Sequence, residues 1–268
     1  MGRKVSRDNI CLLITGCIHP NTEQKYLFLK STEDRCRQYI ESIEYYIEKT
    51  SAAKIVFCEN SNYIYENKGM LYQKADSCGK SFEWISFQGD SDRVVKQGKG
   101  YGEGEIIAYA LANSVLMKGA DVFVKITGRL IVCNLDHILK NLSEEANYFN
   151  SDIYRPRGID TRFYCVTKKF YEGKLLSAYL DLTEEEGRLY ALEDAFFDIL
   201  ENEKIHCLPE YPMICGISGG NGQNYSMMSK GVLTIYNFLC KTGIFNLIYP
   251  RYRKVKKYIR NWSKQHAD

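Results

Sequence analysis

One stretch of the chain, residues 98–129, constrains its fold more than any other. It begins with glycine at every second position from 98 to 104 and ends in a polar turn at 127–129. Between 105 and 117 the apolar residues recur at the spacing of one helix face, and 121–126 is a short run of strand length. Repeated glycine ahead of a helix lets backbone N–H groups approach an anion. We therefore interpret the stretch as a loop, helix and strand of the kind that holds a phosphorylated nucleotide.

Three further apolar runs precede it, at 9–15, 54–58 and 82–87, and a helix pattern at 35–49 separates the first two. Strands that alternate with helices through short links predict a parallel, doubly wound sheet. In such a sheet the ligand binds beyond the carboxyl ends of the strands. The residues predicted at that edge are Thr15, Gly16, Cys17, Glu59, Asn60, Ser61, Gln88, Gly89, Asp90, Thr127, Gly128 and Arg129.

The alternation of strands and helices stops after residue 130. The later elements predicted are strands at 151–157 and 162–170, a helix at 184–201, a proline- and glycine-rich stretch at 207–224, and an apolar then basic helical tail at 229–265. No internal repeat interrupts the chain. We therefore expect one compact unit with a C-terminal appendage.

Charge and cysteine content limit the classes of function. A net charge of +3 and a pI of about 8.2 are too mild to favour nucleic acid as a partner. The ten cysteines form neither a C-x-x-C pair nor a cluster at zinc spacing. No apolar run reaches transmembrane length, and the one near the N-terminus is too short for a signal peptide. We therefore expect a cytoplasmic protein with reduced thiols.

The order of these elements resembles the GT-A nucleotide-sugar-dependent glycosyltransferases, and within them bacterial enzymes that build capsular and lipopolysaccharide O-antigen polysaccharides. The residues that carry the resemblance are 14–16 and 57–61 at two strand ends, the glycine-rich segment 98–105, the strand and elbow 123–129, and the acidic pair within 192–194. The similarity covers about residues 9–225. It is a likeness in the order and spacing of short motifs.

The resemblance implies the fold class α/β, with a GT-A-like Rossmann-type mostly parallel sheet flanked by helices, a mixed acceptor half and a C-terminal helical appendage. It implies a single catalytic domain at 1–228, divided into a donor nucleotide half at 9–130 and an acceptor half at 131–228, with a helical, basic tail at 229–268. The implied activity is transfer of a sugar from a nucleotide-diphospho-sugar to a glycan or lipid-linked acceptor in surface polysaccharide biosynthesis.

The implied mechanism is an inverting displacement with Asp194 as the base and Glu193 beside it, because the acceptor hydroxyl must lose its proton to a carboxylate. Donor binding is assigned to Thr15, Gly16, Glu59, Asn60, Ser61, Lys99, Gly100, Gly102, Lys125, Thr127, Gly128 and Arg129. Acceptor binding is assigned to Asp160, Arg162, His206 and Tyr225.

The chain departs from that family at its metal site. Most GT-A enzymes have an Asp-x-Asp after the fourth strand, whereas this chain has Lys125 to Arg129 there. A cationic side chain can neutralise a leaving diphosphate in place of a metal. No cofactor is therefore firmly implied, and a divalent Mg²⁺ or Mn²⁺ stays an open alternative.

Each assignment also has a purely structural interpretation. Arg129 can pair with a surface acid, residues 59–61 can form an Asx turn, and the glycine-rich segment can be an ordinary surface loop. The acidic pair at 193–194 can be part of a solvated helix face. His206 can be structural, and residues 158–163 can be a simple turn.

Partners and rival functions also stay open. The basic, tryptophan-containing tail at 249–264 is typical either of a helix on the inner face of the cytoplasmic membrane, which suits a lipid-linked acceptor, or of a solvated helix. A sugar-nucleotidyltransferase would use Asp90 and Asp92 to bind magnesium. A non-catalytic protein that binds nucleotide sugars or glycans is the second rival.

Overall fold

A five-stranded sheet is the centre of the computed structural model, which describes residues 4–23, 27–150, 159–185, 188–217, 222, 224–225, 234–235 and 237–238. The strands are β1 (Ile10–Gly16), β2 (Lys54–Glu59), β3 (Ser81–Ser86), β4 (Val122–Thr127), β5 (Ile131–Val132), β6 (Phe163–Thr167), β7 (Thr183–Glu185), β8 (Arg188–Tyr190) and β9 (Ile214–Cys215). The helices are α1 (Thr32–Lys49), α2 (Lys68–Ser77), α3 (Ser91–Gln97), α4 (Lys99–Asn113), α5 (Val115–Lys118), α6 (Leu135–Leu139), α7 (Lys168–Phe170) and α8 (Leu192–Leu200). A 3₁₀ turn, Arg7–Asn9, precedes β1, and a π turn, Tyr171–Leu175, follows α7.

The sheet has the order β3-β2-β1-β4-β6. β1 to β4 are parallel to one another, and β6 runs antiparallel to β4. Helices α1 and α2 pack on one face, and α4, α5 and α8 pack on the other. All seven residues of β1 are buried, as expected for a strand with apolar layers on both faces. The prediction of a mostly parallel, helix-flanked, Rossmann-like α/β sheet is confirmed.

The strand order reverses direction at β1. From β1 the chain crosses to β2 and β3 on one side, and β4 pairs with β1 on the other side. Thr15 aligns with Thr127 at the carboxyl ends of these two strands. A reversal of this kind leaves a crevice between the connecting segments, and ligands of open α/β sheets bind there.

The glycine-rich segment is not a loop, so that prediction is wrong. Helix α4 begins at Lys99, and three of the four glycines lie in its first two turns. Gly98, with a φ of 88°, is the joint between α3 and α4. A Cβ on Gly104 would overlap the Tyr179 side chain, and one on Gly100 would lie 2.8 Å from the Cβ of Leu192. The glycines let α4 pack closely against segments far along the chain.

Replacing Gly104 by alanine is therefore expected to lower the free energy of unfolding by about 1–3 kcal/mol, the usual cost of overpacking. Urea unfolding measures this directly. Gly69→Ala in α2 is the matched control, since nothing lies within 4 Å of its added Cβ. That substitution is expected to be neutral or to stabilise by about 0.5–1 kcal/mol. Equal effects of the two substitutions would contradict the packing role.

The second half of the chain departs further from prediction. The helix expected at 184–201 is a β7–β8 hairpin followed by the shorter α8, and Gly187 within that pattern disfavours a continuous helix. Only 163–167 of the strand expected at 162–170 forms a strand. The strand expected at 151–157 and the domain boundary at 228 lie outside the described residues. So does the tail at 229–268, apart from 234–235 and 237–238. None of the described helices has the length and apolar character needed to span a membrane.

Candidate functional site

A cleft of about 240 Å³ opens at the carboxyl ends of β1, β2 and β4, at the point where the strand order reverses. Its lining residues are Thr15, Gly16, Cys17, His19, Asn21, Leu27, Arg35, Tyr39, Asn60, Ser61, Gln88, Gly89, Ser91, Val94, Lys99, Gly102, Glu103, Ile106, Thr127 and Arg129. The location is the one that the parallel-sheet prediction requires.

Eight of the predicted donor-binding residues line this cleft. They are Thr15, Gly16, Asn60, Ser61, Lys99, Gly102, Thr127 and Arg129. The sequence interpretation missed the contribution of two helices. Arg35 and Tyr39, one turn apart on α1, form one wall, and Glu103 and Ile106 of α4 form another. If α4 had been predicted to begin at residue 99, helical spacing would have placed Glu103 on the same face as Ile106, and therefore at the cleft.

Arg129 reaches into the cleft with part of its hydrogen-bonding capacity unused. Its Nη1 donates to Oε1 of Gln38 over 3.2 Å, and the guanidinium lies 5.9 Å from the centre of the Tyr39 ring. The Nε atom is buried and has no hydrogen-bond partner among the described residues. A buried N–H without an acceptor is costly, so this atom provides a reason for an oxygen-bearing ligand to bind.

Arg35 is a buried cation of a different kind, because its donors are used within the protein. Its Nε and Nη2 donate to the carbonyl oxygen of Cys17 over 2.8 and 2.6 Å, and its Nη1 donates to that of Leu29 over 3.2 Å. The Tyr39 hydroxyl accepts the N–H of Cys17 at 3.0 Å. Arg35 and Tyr39 thus fix the segment that follows β1, and Arg35 adds positive charge to the wall beside Arg129.

Glu59, predicted to bind the donor, does not line the cleft. Its buried carboxylate accepts the N–H groups of Ser61 and Tyr63, each at 2.8 Å, and the hydroxyl groups of Ser61 and Ser86. Three donors from the following turn and one from the neighbouring strand β3 surround this carboxylate, so Glu59 fixes the turn after β2 and does not face solvent. Ser61 in turn accepts the N–H of His19 at 2.9 Å.

Asn60 sits between β2 and α4 with its side chain at the cleft. Its Oδ1 is buried without a hydrogen-bond partner among the described residues, and its Nδ2 lies 3.5 Å from Glu105 Oε2. Glu105 accepts the N–H of Asp90 at 3.0 Å, and Asp90 caps α3 by accepting the N–H of Arg93 at 3.0 Å. Asp90, one of the two carboxylates that a nucleotidyltransferase would use, therefore serves as a helix cap, and neither it nor Asp92 in the first turn of α3 lines the cleft.

Lys125 lies beneath the cleft and not on its wall. The side chain is fully buried, and its Nζ lies 2.5 Å from Glu103 Oε1. The same atom donates to Thr127 Oγ1 at 3.0 Å and to the carbonyl oxygen of Thr161 at 2.7 Å. Burial lowers the pKa of Lys125, although the neighbouring Glu103 opposes that shift. Lys125 acts on the cleft through Glu103 and Thr127, so its assignment to direct donor contact is corrected.

Gly100 and Gly128 also serve packing and not the cleft. Gly100 lies against Leu192, as described above. The N–H of Gly128 donates to the carbonyl oxygen of Thr15 at 2.9 Å, and a Cβ on Gly128 would overlap that oxygen. The elbow after β4 therefore requires glycine for the close approach of two chain segments, and this turns Arg129 toward the ligand edge.

The predicted base, Asp194, is placed away from the cleft lining. It is buried in the first turn of α8, where its Oδ2 accepts the N–H of Ala191 at 3.1 Å. Glu193 points elsewhere, and its Oε1 accepts the Thr161 hydroxyl at 3.1 Å. Burial raises the pKa of Glu193, and the nearby carboxylates of Glu103 and Asp160 add to the shift. Asp194 is a helix cap, and Glu193 belongs to the buried charge cluster around Lys125.

The predicted acceptor residues lie outside the cleft lining too. Asp160 holds Arg162 through two hydrogen bonds, from Nε at 2.8 Å and from Nη2 at 2.6 Å. The Arg162 guanidinium lies 4.7 Å from the centre of the Tyr225 ring, so these three residues do form one cluster. His206 is separate from it. Its backbone N–H donates to Asn147, and burial lowers the pKa of its imidazole.

Within the described ranges, no group of three or more His, Cys, Asp or Glu side chains is arranged to hold a metal ion. Neither a family model nor a curated protein matches the chain. Its function is therefore inferred from the geometry and charge of the cleft.

Proposed function

We propose that the cleft binds the diphosphate of a nucleotide-diphospho-sugar and that the protein is a GT-A-like glycosyltransferase. The observation that carries the proposal is the unused, buried Nε–H of Arg129 at the strand-order reversal. A phosphate oxygen is the acceptor that matches a guanidinium best, because the two groups form short, charge-assisted hydrogen bonds. Arg35 strengthens the positive potential of the same wall without competing for the ligand.

Two features of the opposite wall suit a nucleotide. Asn60 presents an unsatisfied carbonyl oxygen, which requires a donor such as a base N–H or a ribose hydroxyl. Gly102, in the first turns of α4, lies beside Asn60, and a Cβ there would come within 3.2 Å of Nδ2. This glycine therefore leaves room for the amide and for a ligand next to it.

The base proposed for the reaction is Glu103. It is the sole carboxylate among the described cleft-lining residues, and Lys125 holds one of its oxygens at 2.5 Å. In the reaction the acceptor oxygen attacks the anomeric carbon while the bond to the diphosphate breaks. The acceptor proton passes to the Glu103 carboxylate, and Arg129 stabilises the charge that develops on the leaving diphosphate. The acceptor is a glycan or a lipid-linked saccharide.

The proposal predicts that nucleotide-diphospho-sugars stabilise the protein against heat. Saturation at about a hundred times Kd would stabilise by about 2.7 kcal/mol, which raises Tm by several degrees. A thermal-shift series with UDP-, GDP- and TDP-sugars, with and without Mg²⁺ or Mn²⁺, measures this. The free sugars are the control, since they lack the phosphate that Arg129 is proposed to bind. Equal shifts with a nucleotide sugar and with its free sugar, or no shift with any, would contradict the proposal.

A further inference from the structure

Two thiols, those of Cys133 and Cys215, lie in contact on the short ladder that follows Arg129. Their sulfur atoms are 3.2 Å apart. The contact spans the short antiparallel ladder of β5 and β9, in which Ile131 pairs with Cys215. Cys133 is two residues after Ile131, so its side chain and that of Cys215 project from the same face of the ladder. Cys133 is exposed and Cys215 is partly exposed, so small molecules can reach the pair.

The other described cysteines have different surroundings. The buried ones are Cys11, Cys36, Cys58, Cys165 and Cys207. Burial raises the pKa of Cys11 to about 12, which keeps its thiol protonated and inert. Cys78 is exposed and Cys17 is partly exposed at the cleft, and neither of them contacts a second thiol among the described residues. The described chain thus places one pair of thiols together at an accessible position, and packing alone does not require it there.

We propose that Cys133 and Cys215 form a redox site that exchanges with low-molecular-weight disulfides and closes into an intramolecular disulfide. Formation of the bond requires the sulfurs to move from 3.2 Å to about 2.0 Å apart. The ladder can accommodate this movement because β9 is only two residues long and lies outside the central sheet.

The exchange takes place in two balanced steps. The thiolate of one cysteine of the pair attacks one sulfur of the reagent disulfide and releases one thiol, leaving a mixed disulfide on that cysteine. The other cysteine then attacks the protein sulfur of the mixed disulfide and releases the second thiol, which takes up the proton of the attacking cysteine. Two protein thiols are oxidised and one reagent disulfide is reduced to two thiols.

The position of the pair connects it to the cleft. Cys215 precedes Gly216, whose φ of 128° brings it against the carbonyl oxygen of Arg129. The N–H of Tyr225 donates to Gly216 at 2.9 Å, and Gly222 packs on the Phe28 ring, next to the cleft residue Leu27. A disulfide would therefore link the residue before Gly216 covalently to Cys133, which lies four residues after the cleft residue Arg129. Since it would close a loop spanning 82 positions, it would also stabilise the fold.

The test starts from the fully reduced chain and adds oxidised glutathione. The expected product is one intramolecular disulfide, seen as a loss of two hydrogen atoms in the intact mass. Proteolysis should then release a peptide pair linked through Cys133 and Cys215. The Tm of the oxidised chain should exceed that of the reduced chain by about 4 °C or more, and dithiothreitol should reverse the change.

Three variants make the outcome decisive. Cys133→Ser is expected to stop at the mixed disulfide, with one glutathione on Cys215, and Cys78→Ser to form the bridge like wild type. Cys215→Ser should form no bridge, which covers the case in which the first variant is unstable. A bridge between other cysteines, or glutathione on both Cys133 and Cys215 without a bridge, would overturn the proposal. These readouts do not depend on glycosyl transfer, so this inference and the proposed function can fail separately.

Discussion

Replacing Arg129 by methionine is expected to weaken the binding of a nucleotide-diphospho-sugar and of the free nucleoside diphosphate by about a hundredfold. Methionine keeps most of the side-chain length but removes the Nε–H that lacks an acceptor and the positive charge beside Tyr39. Hydrogen bonds to charged groups contribute about 1.5–3 kcal/mol, and each 1.4 kcal/mol corresponds to about tenfold in affinity. Isothermal titration calorimetry of the full chain measures the dissociation constants.

The control for Arg129→Met is Arg37→Met, which removes the same charge from the exposed side of α1, where Arg37 pairs with Asp34. Its effect on affinity is expected to be less than about twofold, because exposed ion pairs and distant charges are weak in solution. Arg129→Lys should fall between the two, since it keeps the charge but not the planar donor group. Equal affinities of Arg129→Met and Arg37→Met for the diphosphate would exclude Arg129 as its binding group.

The sheet and its ligand edge could be predicted from sequence because the signals are local. Each parallel strand is a short apolar run that ends in a polar turn, and the crossover rule fixes the edge at which those turns meet. Thr15, Asn60 and Arg129, which the sequence predicts at that edge, all line the cleft.

The interior of the site could not be predicted in this way, because long-range packing decides it. The glycines of α4 are typical of a loop, and their place in a helix depends on Tyr179 and Leu192, about 75 to 90 residues later. The sequence also gives no indication of the side of the sheet on which the Lys125 side chain lies. The first five residues of β4 are all buried, so alternation along the strand gives no sign of which face meets the ligand.

The sequence also does not reveal which carboxylate reaches the cleft. Glu193 and Asp194 stand next to each other on a helix pattern, and the resemblance to GT-A enzymes implies that Asp194 is the base. Asp194 caps α8 through Ala191, whereas Glu103 reaches the cleft from a segment that sequence patterns describe as a loop. The folded chain, and not the order of the residues in the sequence, decides which carboxylate caps a helix and which one lines the cleft.

Glu103→Gln is expected to reduce kcat for glycosyl transfer by about a hundredfold or more, the usual contribution of a positioned general base. Glutamine has the same shape and can still accept from Lys125, but it cannot take the proton of the acceptor hydroxyl. Donor affinity should stay within about threefold of wild type, since Arg129 and Asn60 are unchanged. Initial rates of transfer, with donor binding measured separately by calorimetry, distinguish the two effects.

One further variant separates catalysis by Glu103 from its ion pair with Lys125, whose side chain is fully buried. Glu103→Gln alone leaves Lys125 without its counter-charge, and losing one partner of a buried pair commonly costs about 3–5 kcal/mol. The double variant Glu103→Gln/Lys125→Met removes both charges and should recover much of that stability. If Glu103 is the base, the double variant stays inactive despite its recovered Tm. If Glu103 only balances Lys125, activity returns together with stability.

Asp194→Asn should lower Tm, because the Asp194 carboxylate caps α8 by accepting the N–H of Ala191. It should retain kcat within about threefold, because that carboxylate does not line the cleft.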